Sequence, residues 1–395
     1  MTFYGRVSPN PLIPSLPPSL ILPSFLPSFG KRTMAGPPSD SDDNTATQSS
    51  CRWVRLAFMG PQPAARSSHG LSAISDGTLI LMGGEGANAR SPLGCTIWTL
   101  SGESVAANTR DDADLSVDEL GQWRMLDDAA FSTMPPPRVG HAQAAIDNTV
   151  YVFGGRDAVA VGDGGLNDMW AFHANEGRWE KRDMNTPPHA RSYHAMCAAD
   201  EAKTLYTFGG CGESGRLADL WATDTRASSW EELPAAPIRG RGGPCLFTSP
   251  DGKTVMVVAG FAGEETNDVA LFDRVAGKWR STELESLRKR SVAAHFYDPC
   301  SRRCMIFGGE VDPSNIGHAG AGDFASDMVS FDLDGNLLAP PSVTGTPAGS
   351  AEARGWGAMA ASAASGRTVA VMFGGLAGND ENPKRLDDTW ALVVR

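Results

Sequence analysis

Clusters of basic residues are missing from this chain. It carries 34 Lys and Arg against 46 Asp and Glu, a net charge of −12, and shows no Lys- or Arg-rich run. That balance argues against a nucleic-acid or anionic-membrane binder, since both partners are held through clustered cations. Paired cysteines are missing too. The seven, Cys51, Cys95, Cys197, Cys211, Cys245, Cys300 and Cys304, are odd in number and show no CxxC spacing, which excludes a disulfide framework and points to reduced thiols in a reducing compartment, cytoplasmic or nuclear. Long apolar runs are absent. The stretch 1–33 is apolar and Ser-rich, but its seven prolines break any spanning helix, and nothing else approaches the ~20 apolar residues a membrane span needs. Neither a nucleophile elbow, nor a P-loop, nor a dinucleotide fingerprint occurs in a strand-to-helix setting. The five tyrosines have no copper-site pairing with histidine, and no adaptor domain is expected beside the rest of the chain.

Residues 1–50 are expected to be a disordered leader and linker. Two origins fit residues 1–33, which have Arg6, Lys31 and Arg32 but no acid: an organelle transit peptide, or an upstream extension with initiation at Met34. The folded domain is expected at 51–395.

What is present is glycine, 44 residues of it, and a repeat. Six short apolar runs end in a glycine doublet or a close relative, at 83–84, 154–155, 209–210, 259–260, 308–309 and 374–375. Uninterrupted spacings are about 50 residues. A turn precedes each run, such as Ser75-Asp76-Gly77-Thr78, so two antiparallel strands are joined there. A third strand follows with an acid near its start (Asp168, Asp219, Asp268, Asp327, Asp388), except in the first repeat, which reads Thr96-Ile97-Trp98. A fourth strand carries Trp123, Trp179, Trp230 or Trp279. The chain ends on a third strand, while Trp53-Val54-Arg55-Leu56 reads as a fourth strand with no repeat before it, so the two are expected to pair and close a ring.

These doublets and spaced tryptophans resemble the kelch-repeat family over essentially 51–395. The resemblance implies an all-β, six-bladed kelch-type β-propeller closed by its N-terminal strand, with the tryptophans wedged between blades.

A second periodic element opens each first strand: Arg66-Ser67-Ser68-His69, Arg138-Val139-Gly140-His141, Arg191-Ser192-Tyr193-His194, Arg241-Gly242-Gly243-Pro244, Arg290-Ser291-Val292-Ala293 and Arg354-Gly355-Trp356-Gly357. These arginines either pair with the acids of the repeat or converge at the channel mouth as a ligand-binding face. On the second reading the chain is a monomeric binding module for an acidic protein segment or a small anion. The histidines of the element are expected to be structural.

The loop after the fifth doublet, from Glu310 to Gly322, is long. It resembles the loop of plant kelch proteins related to nitrile- and thiocyanate-forming specifier proteins, in which Glu, Asp and His spaced four apart bind ferrous iron. That resemblance implies Fe(II) at Glu310 and His318, with Ser314 replacing the middle acid and Asp312 as a substitute donor, and pore-mouth arginines such as Arg138 and Arg191 holding a substrate sulfate. A hydroxyl is a poor substitute for a carboxylate on a divalent cation. The expectation is therefore a non-enzymatic binding module without a cofactor, with an iron-dependent, lyase-type specifier activity as the alternative.

Overall fold

The computed structural model describes residues 50–87, 91–110, 121–160, 163–317, 320–345, 349–364 and 367–395; the leader lies outside them. Among these, no helix is long and apolar enough to cross a membrane. Almost all regular structure is antiparallel strand, grouped into six blades.

Blade two is typical. Ala142–Ile146, Thr149–Phe153, Met169–His173 and Arg178–Arg182 pair in sequence order. The tight turn Asp147-Asn148 sets the first register, with Asp147 at φ 54°, a left-handed conformation that Asp tolerates. Blades one, three and four repeat this plan. Four strands were expected everywhere, but blade five shows three among the described residues: Ala294–Asp298, Arg303–Phe307 and Met328–Phe331. Its chain leaves through Ser342–Thr344, which adds in parallel to the outer edge of blade six.

Blade six closes the ring as the sequence indicates. Ser50–Arg55 pairs antiparallel with Thr389–Val394, placing Trp53 opposite Leu392. The terminal strand would otherwise leave its buried Thr389–Val394 backbone with an open edge.

Fourth-strand rings pack across blade boundaries. Trp53 meets Phe307 at 4.8 Å, Trp123 meets Phe373 at 5.7 Å, and Trp230 meets Phe153 at 5.1 Å. In each case the Phe directly precedes the preceding blade's doublet. Burying each ring is worth a few kcal/mol, so the tryptophans join neighbouring blades. All seven cysteines are free thiols.

Candidate functional site

The repeating element builds the mouth of the channel from backbone. In every blade the arginine Nε donates to the carbonyl two residues earlier, and Nη1 donates to the carbonyl of the first doublet residue, as in Arg191 to His189 O at 2.9 Å and to Gly209 O at 3.0 Å. The amide of each second doublet glycine then donates to the next blade's arginine carbonyl, from Gly84 to Arg138 at 3.0 Å round to Gly375 to Arg66 at 2.9 Å. A Cβ on Gly308 would lie 2.5 Å from the Arg354 carbonyl, and its φ of 67° also favours glycine.

Two residues beyond each arginine the chain turns left-handed: Ser68, Gly140, Tyr193, Gly243, Val292 and Trp356 all have φ between 46° and 62°. Their backbones form a closed ring. Ser68 N donates to Trp356 O (2.7 Å), Gly140 to Ser68 (3.0 Å), Tyr193 to Gly140 (2.7 Å), Gly243 to Tyr193 (2.8 Å), Val292 to Gly243 (2.8 Å) and Trp356 to Val292 (2.8 Å). Inside it, the Tyr193 and Trp356 rings meet edge to face at 5.2 Å. Five of the six residues line both a channel cavity of about 1180 Å³ and an upper cavity of about 300 Å³. The ring is the floor between them.

The walls of the upper cavity come from the residue after each doublet, bridged to the residue after each arginine: Glu85 to Ser67, Cys211 to Ser192, Phe261 to Gly242, Glu310 to Ser291 and Leu376 to Gly355. Its sixth counterpart, Arg156, is buried and donates to the Tyr193 hydroxyl at 2.7 Å. Glu85 is paired with Arg385 at 3.0 Å. Arg216 stacks over Phe261 at 4.4 Å and is exposed, with no ion-pair partner among the described residues. Burial, and then the charge of Glu265, push the Glu310 carboxyl up to about 7.

The predicted arginine face needs correction. Arg66, Arg138, Arg191, Arg241, Arg290 and Arg354 are all buried and line neither cavity. Five are gripped in bidentate fashion by the acid of their own blade: Arg138 by Asp168, Arg191 by Asp219, Arg241 by Asp268, Arg290 by Asp327 and Arg354 by Asp388, at 2.5–2.9 Å. Burial raises these carboxyls, but the arginine's hydrogen bonds and charge outweigh it and hold them below the ordinary range. With the carboxylate on their outer edge and the carbonyls on Nε and Nη1, these buried guanidinium groups offer no bidentate edge to a guest. Among the described residues, Arg66 is the one of the six without a carboxylate partner.

Two of the three expected metal donors, Glu310 and Asp312, fall among the described residues. Glu310 is buried while Asp312 is exposed, with a bulge between them, and among the described residues no three His, Cys, Asp or Glu gather as a metal site. His318 lies outside those residues. Ser314, at the expected middle position, donates its hydroxyl to Asp380 at 2.5 Å, and Asp380 also accepts from the Asn315 amide at 3.0 Å. Of the two described donors, Glu310 lines the upper cavity and Asp312 does not. Asp380, Glu85, Phe261 and Arg385 were missed in the sequence, although the position after each doublet was a usable signal for Glu85 and Phe261.

His69, His141 and His194 are buried, and among the described residues none of their ring nitrogens makes a hydrogen bond of good geometry. Burial holds all three well below the usual histidine range, His141 at about 3. They are neutral packing residues: His194 lies against Phe153 at 5.4 Å and His69 against Phe373 at 5.5 Å.

Comparison with known proteins follows the same architecture. The KLHDC2/KLHL20/DRC7 Kelch-repeats domain matches residues 97–309. The chain is 26% identical over 368 residues to the N-(sulfonatooxy)prop-2-enimidothioate sulfolyase of Thlaspi arvense, covering 87% of this chain and 97% of that protein. It is 28% identical to a Drosophila melanogaster leucine-zipper-like transcriptional regulator 1 homolog, over 47% of this chain and 17% of that protein. The solved structure of YjhT superposes with a TM-score of 0.58 at 16% identity, covering 86% of this chain and all of that one.

Proposed function

Because the chain belongs to the kelch-repeat family, we propose that it is a binding module whose upper cavity takes an acidic segment of a partner protein. One observation carries this reading: a floored cavity of about 300 Å³ with a cation, Arg216, that has no ion-pair partner among the described residues, over the Phe261 ring. Stacking occupies one face of the guanidinium and leaves its edge donors available to a carboxylate. Phe261, Leu376 and the Trp356 ring supply apolar surface for the residue beside that carboxylate. The six buried arginines of the repeat set the shape of this mouth and do not line the cavity that takes this guest.

Selection from a random peptide library tests it. Wild type should enrich peptides with Asp or Glu next to an apolar residue, and Arg216→Ala should lose that enrichment with its fold intact. Equal enrichment by both proteins, or selection of basic peptides, refutes the reading.

A second reading rests on the Thlaspi arvense sulfolyase, which aligns over nearly its whole length, and on Glu310 standing in the cavity wall. On this reading the cavity takes a sulfated imidothioate. It predicts that the purified protein, with ferrous iron added, changes the products formed from N-(sulfonatooxy)prop-2-enimidothioate. Unchanged products leave the binding module as the sole reading.

A further inference from the structure

Blade one lacks a part that the other five possess. In those blades a carboxylate closes on the outer edge of the buried arginine, and its side chain keeps 12–48% of its surface in solvent. The place it occupies is therefore reachable from water. In blades two, three and six the same carboxylate also accepts from an indole N–H, of Trp170, Trp221 and Trp390, at 2.6–2.7 Å.

Blade one keeps the donors and loses the acceptor. Arg66 is 6% exposed and donates to Ala64 O and Gly83 O, both at 3.0 Å, as its five counterparts do with their own carbonyls. Among the described residues no acid faces it; burial lowers its pKa to about 10. Trp98 stands opposite Leu81, two residues before the doublet, as Trp170 stands opposite Val152, and its indole N–H has no partner among the described residues. Thr96 fills the position of the missing acid, two before the tryptophan, and turns its hydroxyl to Asp128 at 2.6 Å.

We propose that Arg66 and Trp98 form a carboxylate-binding subsite in blade one, a place where an external carboxylate docks as Asp168, Asp219 and Asp388 do from within their own blades. A planar, singly charged oxyanion fits the guanidinium edge in two parallel bonds, and a third bond comes from the indole. A buried guanidinium without a counter-charge is costly, and no described residue supplies one to Arg66, which favours capture of an external carboxylate. The subsite is separate from the upper cavity, which Arg66 does not line.

Thermal unfolding of the full chain in sodium acetate against sodium chloride, at equal ionic strength and pH 7, tests the assignment. Acetate should raise the Tm of wild type saturably. Thr96→Asp, which supplies the carboxylate internally, should be more stable than wild type in chloride and lose the acetate response. Arg66→Met should lose it as well, and it keeps the test open if Thr96→Asp folds poorly. A blocked tri-aspartate peptide separates the sources. Saturation by acetate and peptide alike means any carboxylate is taken, while saturation by peptide alone means an acidic side chain held within a chain. No saturable response to either, or an equal response in Arg66→Met, overturns the proposal.

Discussion

Removing Asp219 isolates the contribution of one blade's ion pair. Asp219→Ala leaves Arg191, fully buried, without the two carboxylate bonds of 2.8 and 2.7 Å, and leaves the Trp221 indole without its bond of 2.7 Å. Stranding a buried charge costs about 3–5 kcal/mol. The Asp219 side chain is 18% exposed, so water enters and relieves part of that. About 3 kcal/mol is expected, a Tm fall of roughly 6 °C at ~2 °C per kcal/mol for a domain this large. Asp327 is the internal control. Its carboxylate is 48% exposed and has no indole donor, so Asp327→Ala should cost about half as much, nearer 1–2 kcal/mol. Urea unfolding followed by tryptophan fluorescence and circular dichroism measures both. Equal losses in the two variants, or losses below about 1 kcal/mol in both, would refute the view that burial of the pair sets its worth.

Deleting residues 51–58 should destabilise the whole propeller, because it removes Trp53 from the Phe307 contact and reopens the Thr389–Val394 edge; deleting 1–45 should leave Tm nearly unchanged, and equal melting of the two truncations would defeat the closure argument. Acid should unfold the protein early: His69, His141, His194 and His295 have pKa values lowered by burial, so the unfolded state binds more protons than the folded one below about 6.5, and stability, complete above that pH, falls by about 1.4 kcal/mol per pH unit for each imidazole. His141→Phe should flatten the urea-unfolding slope between pH 6 and 4 by one proton, and an unchanged slope would count against neutral burial. At the fifth-blade loop, the purified wild type should retain no stoichiometric iron, while Ser314→Asp, which sets a carboxylate against Asp380, should lower the Tm of the metal-free protein and raise its ferrous affinity in a titration; loss of that gain in Ser314→Asp/His318→Ala would tie it to the family's spacing.

Side-chain identity carries some of this architecture and backbone conformation carries the rest, and that division decides what a single sequence reveals. The doublets, the tryptophans and the six arginines repeat as residue types because each one's task favours that type: a Cβ at Gly308 would meet the Arg354 carbonyl, with Ala259 the one non-glycine at the doublets, and only a guanidinium reaches two carbonyls and a carboxylate at once, as Arg191 does. Blade count and ring closure were therefore legible. The ring that floors the upper cavity was not, because its six members, from Ser68 to Trp356, share a left-handed φ and an amide-to-carbonyl bond and nothing in their side chains. The arginines misled for a related reason. A periodic cation looks the same on paper whether its edge faces solvent or an acid some 30 residues downstream, and the sequence already contained the answer in the five acids that recur beside the third strand. The exception was equally visible: Thr96 broke the pattern. A repeat protein states its structural contacts by repetition, so the positions with freedom to act on a ligand are those where one blade departs from the rest, here the residues after the doublets, Arg216, and the unpaired Arg66.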